Sequence, residues 1–412
     1  MSESEVQAGA IVIVGGGHSA AALCSGLVAA GRGAQVHLVC EEAELPYQRP
    51  PLSKSFLKGP LEALQPLRSE AWYAEAGITL HRADPGVAID RQRRVLRLRS
   101  KRELGYAGLV LATGARARSL PQFAATIAGL SNVAMLRGAA DAARLRGQLH
   151  AAQHLTVLGG GFIGLEIAAT ARALGKRVTV LESAPRLLQR SVSGELAMHV
   201  LQTHRASGID LRLGVAAGEF VIEGGRLASL TVEGKSEAVE LLVLAIGAAP
   251  EQALALAAGL ECDNGVIVDA CQRSSDPSIL AIGDCASFPL HGSGRRTRLE
   301  SVQNANDQAR TALATLLGRD EPYRALPWFW SEQGGMRLQM AGLMPLDGVR
   351  HRRAGPSPGS FSILHYVGEQ LLCVESVNAP LDHMAARKLL EAAVSPALAL
   401  ACDPAVPLKA HL

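Results

Sequence analysis

The chain has 412 residues, too many for one ordinary hydrophobic core, so about two to four domains are expected. A hydrophobic content of 48% with 42 glycines describes a folded α/β protein rich in tight turns and excludes a disordered chain. With 41 basic against 38 acidic residues the net charge is only +3, which gives no support to general nucleic-acid binding. Cysteines 24, 40, 262, 271, 285, 373 and 402 form no CxxC pair and no metal-ligand spacing. Such scattered thiols fit a reducing cytoplasm.

In chain order, the first feature is an apolar strand, Ile11–Val14, followed by Gly15 and Gly17, a small-residue helix entered through His18, Ser19 and Ala20, a second strand Val36–Val39, and then Glu41 and Glu42. Residues 11–30 are the most apolar early stretch. Three glycines, His18 and Ser19 interrupt them, and Glu3 and Glu5 precede them in place of a basic run, so they read as strand, turn and helix with no export or membrane anchoring. The pattern returns at residues 155–182: an apolar strand, Gly159, Gly161, Phe162, Ile163 and Gly164, a helix, and a second strand ending on Glu182. This is the dinucleotide fingerprint, in which the first glycine makes the tight turn, the second admits a pyrophosphate and the third lets helix and strand pack closely. Ala20 is a tolerated small variant at the third position. The helix N-terminus presents unpaired N–H groups to phosphate. Glu182 is placed to accept ribose hydroxyls and repels a 2′-phosphate, which favours NADH over NADPH. Two fingerprints in one chain imply a flavin and a nicotinamide held face to face.

Between and after these units the pattern predicts further elements. Residues 46–54, PYQRPPLSK, read as a stiff, extended segment because proline fixes its own φ and restricts its predecessor. Residues 109–114, LVLATG, are a buried strand ending in a small-residue turn at Ala112, Thr113 and Gly114. Residues 241–247 are another strand, closing on Gly247. Residues 279–284 are a strand ending in Gly283-Asp284, where a carboxylate can accept from a polyol hydroxyl. Ser301 reads as a helix N-cap. From Pro327 the texture changes: Trp328-Phe329-Trp330, strands at 336–341, 361–366 and 371–376, and an amphipathic helix at 383–394 predict a small α+β domain.

The first fingerprint followed by PYQRPPLSK resembles the FAD-containing, NADH-dependent ferredoxin reductases that serve bacterial cytochrome monooxygenases and aromatic-ring dioxygenases. Gln48 and Glu251 depart mildly from the family pattern. The resemblance implies two Rossmann-like dinucleotide-binding domains of the glutathione-reductase-like class plus the C-terminal domain. FAD would be held by residues 1–118 and 246–327, NAD by 119–245, and 328–412 would form the third domain. It also implies roles: Arg49, Val87, Arg137, Asp284 and Val302 toward FAD, Trp330 beside the flavin ring, Gly247 and Arg190 toward NADH, and Lys54 with Glu166 as the polar pair at the reacting centre. There Glu166 orients the Lys54 ammonium, which stabilises the electron-rich reduced ring.

Flavoprotein disulphide reductases and peroxidases place redox cysteines after the first fingerprint, and residues 41–114 contain none. Cys24 and Cys40 read as small buried hydrophobes. The implied acceptor is therefore an external [2Fe–2S] ferredoxin, with Arg68, Arg295, Arg296, Arg298, Arg310, Arg352 and Arg353 as candidates for its docking surface. A monomer without metal is expected. The competing readings are an NADH oxidase or rubredoxin-type reductase and, from a different class, a flavin-bound NADH sensor or assembly protein.

Overall fold

The computed structural model describes residues 9–59, 61–120 and 129–412. These fall into two compact units, each assembled from separated segments: one takes 9–49, 64–116 and 248–325, the other 50–63, 117–247 and 326–412.

The first unit is organised on a five-stranded parallel sheet in the order Ile279–Ala281, Gly108–Leu111, Ile11–Val14, Val36–Val39, Thr79–His81. Ile11–Val14 and Gly108–Leu111 are buried at every position, as expected of parallel strands covered on both faces. Helices His18–Ala29 and Val302–Leu316 pack against one another beside it. They approach closely because Gly26 has no Cβ: one would stand 2.6 Å from Leu313 Cδ2. A second, antiparallel sheet of Gly86–Asp90, Val95–Leu98 and Glu103–Gly105 carries Val87.

The second unit repeats the design. Its parallel sheet runs Asp210–Leu213, Arg177–Glu182, His154–Leu158, Leu241–Leu244, Val133–Ala134. One hydrophobic cluster joins that sheet and helix Phe162–Ala173 to Leu57 and to Met336, Leu338, Phe361 and Val377 of the C-terminal segment.

Two expectations need correction. Residues 46–54 are not extended throughout: Pro50–Ser53 form a 3₁₀ turn, with Lys54 N–H donating to Pro51 O at 3.0 Å, and Ser55–Lys58 follow as one helical turn. The φ that proline fixes suits a helical first turn as well as an extended chain, so it does not choose between them. The C-terminal segment has five strands, not three, in the order Trp328–Gln333, Met336–Gly342, Gln370–Val377, Phe361–Val367, Val349–Ala354, with helix Pro380–Glu391 packed on it. The two additional strands are the sheet's edges. Val349–Ala354 reads VRHRRA, without apolar alternation, because an edge exposed to water does not require it.

Candidate functional site

In the first unit Gly15 adopts φ +122°, and a Cβ there would stand 2.1 Å from Ala112 O, so only glycine makes this turn. Gly17 precedes helix His18–Ala29 in extended conformation and offers no side-chain cap. A Cβ on Gly17 would meet no described protein atom within 4 Å. The space beside Gly17, at the N-terminus of this helix, is thus left open by the described protein atoms, as a backbone approached closely by a pyrophosphate requires. The Gly283–Cys285 turn lies against the same helix. Gly283 has φ +78°, its absent Cβ would be 2.9 Å from Ser19 Oγ, and its N–H donates to the buried Gln308 Oε1 at 2.6 Å. This sets Asp284 at the end of the strand. Ser301 caps helix Val302–Leu316, accepting from Asn304 N–H at 3.0 Å.

The remaining residues expected toward FAD are placed as follows. Glu41 is exposed. Its neighbour Glu42 accepts from Tyr47 Oη at 2.7 Å and from Arg49 at 2.8 Å, so Arg49 is anchored from the start of the proline-rich segment. Val87 is 47% exposed on its antiparallel sheet. Thr113 Oγ1 donates to Glu251 O at 2.6 Å, and Glu251 N–H donates to Gly114 O at 2.8 Å. The contacts to Thr113 and Gly114 use main-chain atoms of residue 251 and do not depend on its type, whereas the Glu251 carboxylate separately pairs with Arg116 at 3.2 Å and accepts from Ala253 N–H at 3.3 Å. Cys24 and Cys40 are buried free thiols; burial pushes Cys40 up to about 12 and raises Cys24 further, so neither is poised for redox exchange. These features fit FAD: an open anion cradle, a carboxylate at a strand end and a capped helix N-terminus in one unit.

The second unit holds the other glycine turn. Gly159 has φ +110°, and a Cβ there would be 2.3 Å from Ala245 O. Gly161, like Gly17, opens onto space, whereas a Cβ on Gly164 would lie 2.3 Å from Gly159 O. Glu182 is engaged by the turn itself: Oε2 accepts from Gly160 N–H at 2.6 Å and Oε1 from Ala184 N–H at 2.7 Å. Each oxygen retains acceptor capacity for a sugar hydroxyl while the carboxylate braces the turn. Arg190 and Arg118 flank Gly247, which has φ +105°. Phe162 packs on Phe329 with ring centroids 4.7 Å apart, and Ile163 is exposed. Arg137 precedes helix Ala139–Ala151, and its N–H donates to the capping carboxylate of Asp141 at 3.1 Å. An anion-ready turn with a fixed carboxylate fits NAD.

Lys54 and Glu166 come together in this second unit. Lys54 Nζ lies 2.7 Å from Glu166 Oε2 and donates to Pro50 O at 3.1 Å. Glu166 is 4% exposed, and a buried carboxylate persists only with donors around it. Sequence reasoning missed two of these donors: Ser331 Oγ donates to Oε1 at 2.6 Å, and Ser53 Oγ makes a short hydrogen bond to Oε2. Their only sequence signal is adjacency to Trp330 and Lys54. Trp330, half-buried, points to the opposite face of its strand from Ser331 and lies 5.6 Å from the Trp328 ring.

The set of docking arginines shrinks. Arg353 is 4% exposed, bonded to Asp382 at 3.1 Å and to the main-chain carbonyls of Ala401, Asp403 and Val406, so it secures the C-terminal residues. Arg298 is also largely buried, between Glu300 and Asp284 O. Arg310 projects into solvent beside Asp307.

The family model for pyridine nucleotide-disulphide oxidoreductases matches residues 9–309, and that for the reductase C-terminal domain matches 328–412. The chain is 41% identical over 382 residues to rhodocoxin reductase of Rhodococcus erythropolis, spanning 92% of this chain and 89% of that one. Among solved structures it is similar to the ferredoxin reductase for the CYP199A2 system from Rhodopseudomonas palustris, at TM-score 0.91 and 39% identity, covering 98% of this chain and 100% of the other. It is also similar to the covalent putidaredoxin reductase–putidaredoxin complex, at TM-score 0.91 and 36% identity, covering 97% of each chain.

Proposed function

The chain belongs to the pyridine nucleotide-disulphide oxidoreductase family, with that family model matching residues 9–309, and from that premise we propose that it is an NADH-dependent ferredoxin reductase: an FAD flavoprotein that reduces a [2Fe–2S] ferredoxin supplying a cytochrome monooxygenase or ring-hydroxylating dioxygenase. The observation that carries this reading is the Lys54–Glu166 pair, an ammonium fixed by a buried carboxylate, in a chain whose residues 41–114 contain no cysteine. Without an internal thiol acceptor, electrons leave to a separate carrier. The solved neighbour in covalent complex with putidaredoxin supports a carrier of that kind. Free thiols at all seven cysteines support a reducing, cytoplasmic setting, and among the described residues no helix is long and apolar enough to cross a membrane.

FAD, when bound, supplies the redox chemistry, taking two electrons as hydride from NADH and releasing them singly. The chain's own residues bind and orient. Gly15 to Ala20 and Asp284 would hold the flavin nucleotide; Gly159 to Gly164, Glu182, Arg190 and Gly247 would hold NADH. Lys54 commits one N–H to Pro50 O and one to Glu166, and its third is left for the electron-rich ring. Glu166 fixes that direction and offsets the charge. Val302 N–H adds positive potential from a helix N-terminus.

Stopped-flow flavin reduction by NADH under anaerobic conditions tests this. Lys54→Ala is expected to slow reduction by about 100-fold while the purified protein keeps its full FAD content; unchanged single-turnover reduction sinks the role. NADH-dependent cytochrome c reduction with and without added [2Fe–2S] ferredoxin separates the readings: strong ferredoxin dependence supports the reductase, and rapid NADH consumption by oxygen alone supports an oxidase. Ferredoxin-dependent rates should fall with salt if Arg68, Arg295, Arg296, Arg310 or Arg352 meet an acidic partner.

A further inference from the structure

We propose that Ser331, Gln333 and His204 form a buried positioning relay that sets the orientation of Glu166, and through it the Lys54 ammonium, during flavin reduction. This inference rests on the reductase reading above and extends it to residues that touch neither cofactor.

Ser331 and Gln333 are two apart on strand Trp328–Gln333, so both face inward with Phe329, and each is 1% exposed. Gln333 Nε2 donates to Ser331 Oγ at 3.0 Å, and Ser331 Oγ donates to Glu166 Oε1 at 2.6 Å. Behind them, Gln333 Oε1 lies 3.0 Å from Nε2 of His204, which is 1% exposed on helix Gly194–Ala206. An amide oxygen only accepts, so His204 carries its proton on Nε2. The donors then run one way, imidazole to amide to hydroxyl to carboxylate, and each bond polarises the next. Burial lowers the His204 pKa, which keeps the ring neutral and this tautomer in place. A second support comes from Thr170 Oγ1, which donates to Ser53 O at 2.9 Å and fixes the hydroxyl on the other carboxylate oxygen.

The consequence concerns direction rather than charge. Glu166 Oε1 has Ser331 as its donor, and Oε2 takes Lys54 and Ser53. Without the Ser331 hydroxyl, a carboxylate that is 4% exposed rotates to recover a donor, and the nearest mobile one is the Lys54 ammonium. The third ammonium N–H then swings away from the ring it serves.

The test compares Ser331→Ala and Gln333→Met with wild type and Lys54→Ala. Anaerobic stopped-flow separates the limiting reduction rate from the apparent NADH Kd. Acylation of Lys54 in the apoprotein, followed by peptide mass spectrometry, reports the ammonium's freedom without any turnover. Ser331→Ala is expected to lower the limiting rate about tenfold with Kd unchanged within about twofold, and, because the freed carboxylate holds the ammonium more tightly, to slow Lys54 acylation about threefold relative to Lys101. Gln333→Met should move both readouts the same way by smaller factors, and it carries the comparison if Ser331→Ala does not fold. Wild-type rates and acylation in both variants, with Lys54→Ala still slow, overturn the relay and leave the reductase reading standing. An unaffected Lys54→Ala removes the reductase role of Lys54 and the relay together.

Discussion

At the first glycine turn Gly15 N–H donates to Val39 O at 2.8 Å, and at the second Gly159 N–H donates to Leu181 O at 2.9 Å, so the two turns correspond residue by residue through the second strand. On that register Cys40, not Glu41, stands where Glu182 stands. A Cβ on Gly16 would meet Cys40 Sγ at 3.1 Å; one on Gly160 would meet Glu182 Oε2 at the same distance. The second turn is therefore braced by the carboxylate proposed to meet the ribose. The first is backed by an uncharged thiol, and its acids lie one and two residues later: Glu41 is exposed and Glu42 is committed to Tyr47 and Arg49. Helix approach differs as well, since Ala20 fits fully buried while Gly164 has no room for a methyl group. One backbone design thus carries two programmes, and a match to the fingerprint does not say which acid does what.

The sharpest way to break this comparison is at the third position. Gly164→Ala puts a methyl group 2.3 Å from Gly159 O and 3.1 Å from Ala245 Cβ. It should destabilise the protein by about 3 kcal/mol and weaken NADH binding more than about tenfold. The reverse change, Ala20→Gly, should cost only about 1 kcal/mol. Urea titrations and NADH-dependent flavin reduction measure both, and equal effects at the two sites refute the asymmetry. Next in size is Glu182→Ala. Two N–H groups lose their acceptor, so NADH affinity should fall about tenfold while NADPH affinity falls less or rises, and Cys40→Ala at the matching station should leave FAD content intact. A NADH-over-NADPH preference unchanged by Glu182→Ala would show that this carboxylate braces the turn without selecting the cofactor.

What the sequence made legible was local. Ile11–Val14 appears as expected because a parallel strand buried on both faces needs an unbroken apolar run, and Val36–Val39 is recognisable although the half-buried His37 interrupts its run. The Ser301 cap is visible because its hydrogen bond spans three residues. The Lys54–Glu166 pairing came through family resemblance alone, since the two are far apart in sequence. Ser53, Ser331 and Gln333 escaped because their partners are fixed only by tertiary packing, and a serine in a strand carries no pattern that announces a buried carboxylate. The 3₁₀ turn at Pro50–Ser53 escaped for a different reason: the backbone angle that proline imposes is common to two conformations.

The smallest expected difference between the two turns is their response to acid. His37 in the first unit occupies the station of Thr179 in the second. His37 Nδ1 lies 3.1 Å from His81 Nε2, whereas Thr179 Oγ1 pairs with His154 Nε2 at 3.0 Å. Burial, then the charges of His37 and Arg102, push His81 down to about 4, against the partial pull of Asp84; burial also lowers His37 and the half-buried His154. A depressed histidine binds its proton in the unfolded chain before the folded one. Its effect is therefore absent above pH 6.5, and stability is lost as pH falls from 6.5 toward 4. For His81 the loss at pH 5.5 is about 1 kcal/mol. His81→Gln should accordingly narrow the gap between urea midpoints at pH 7.5 and 5.5, because a neutral amide can still pair with His37 Nδ1 and takes up no proton. The same gap in variant and wild type would place the acid sensitivity elsewhere, and the two strands would then differ in sequence without differing in behaviour.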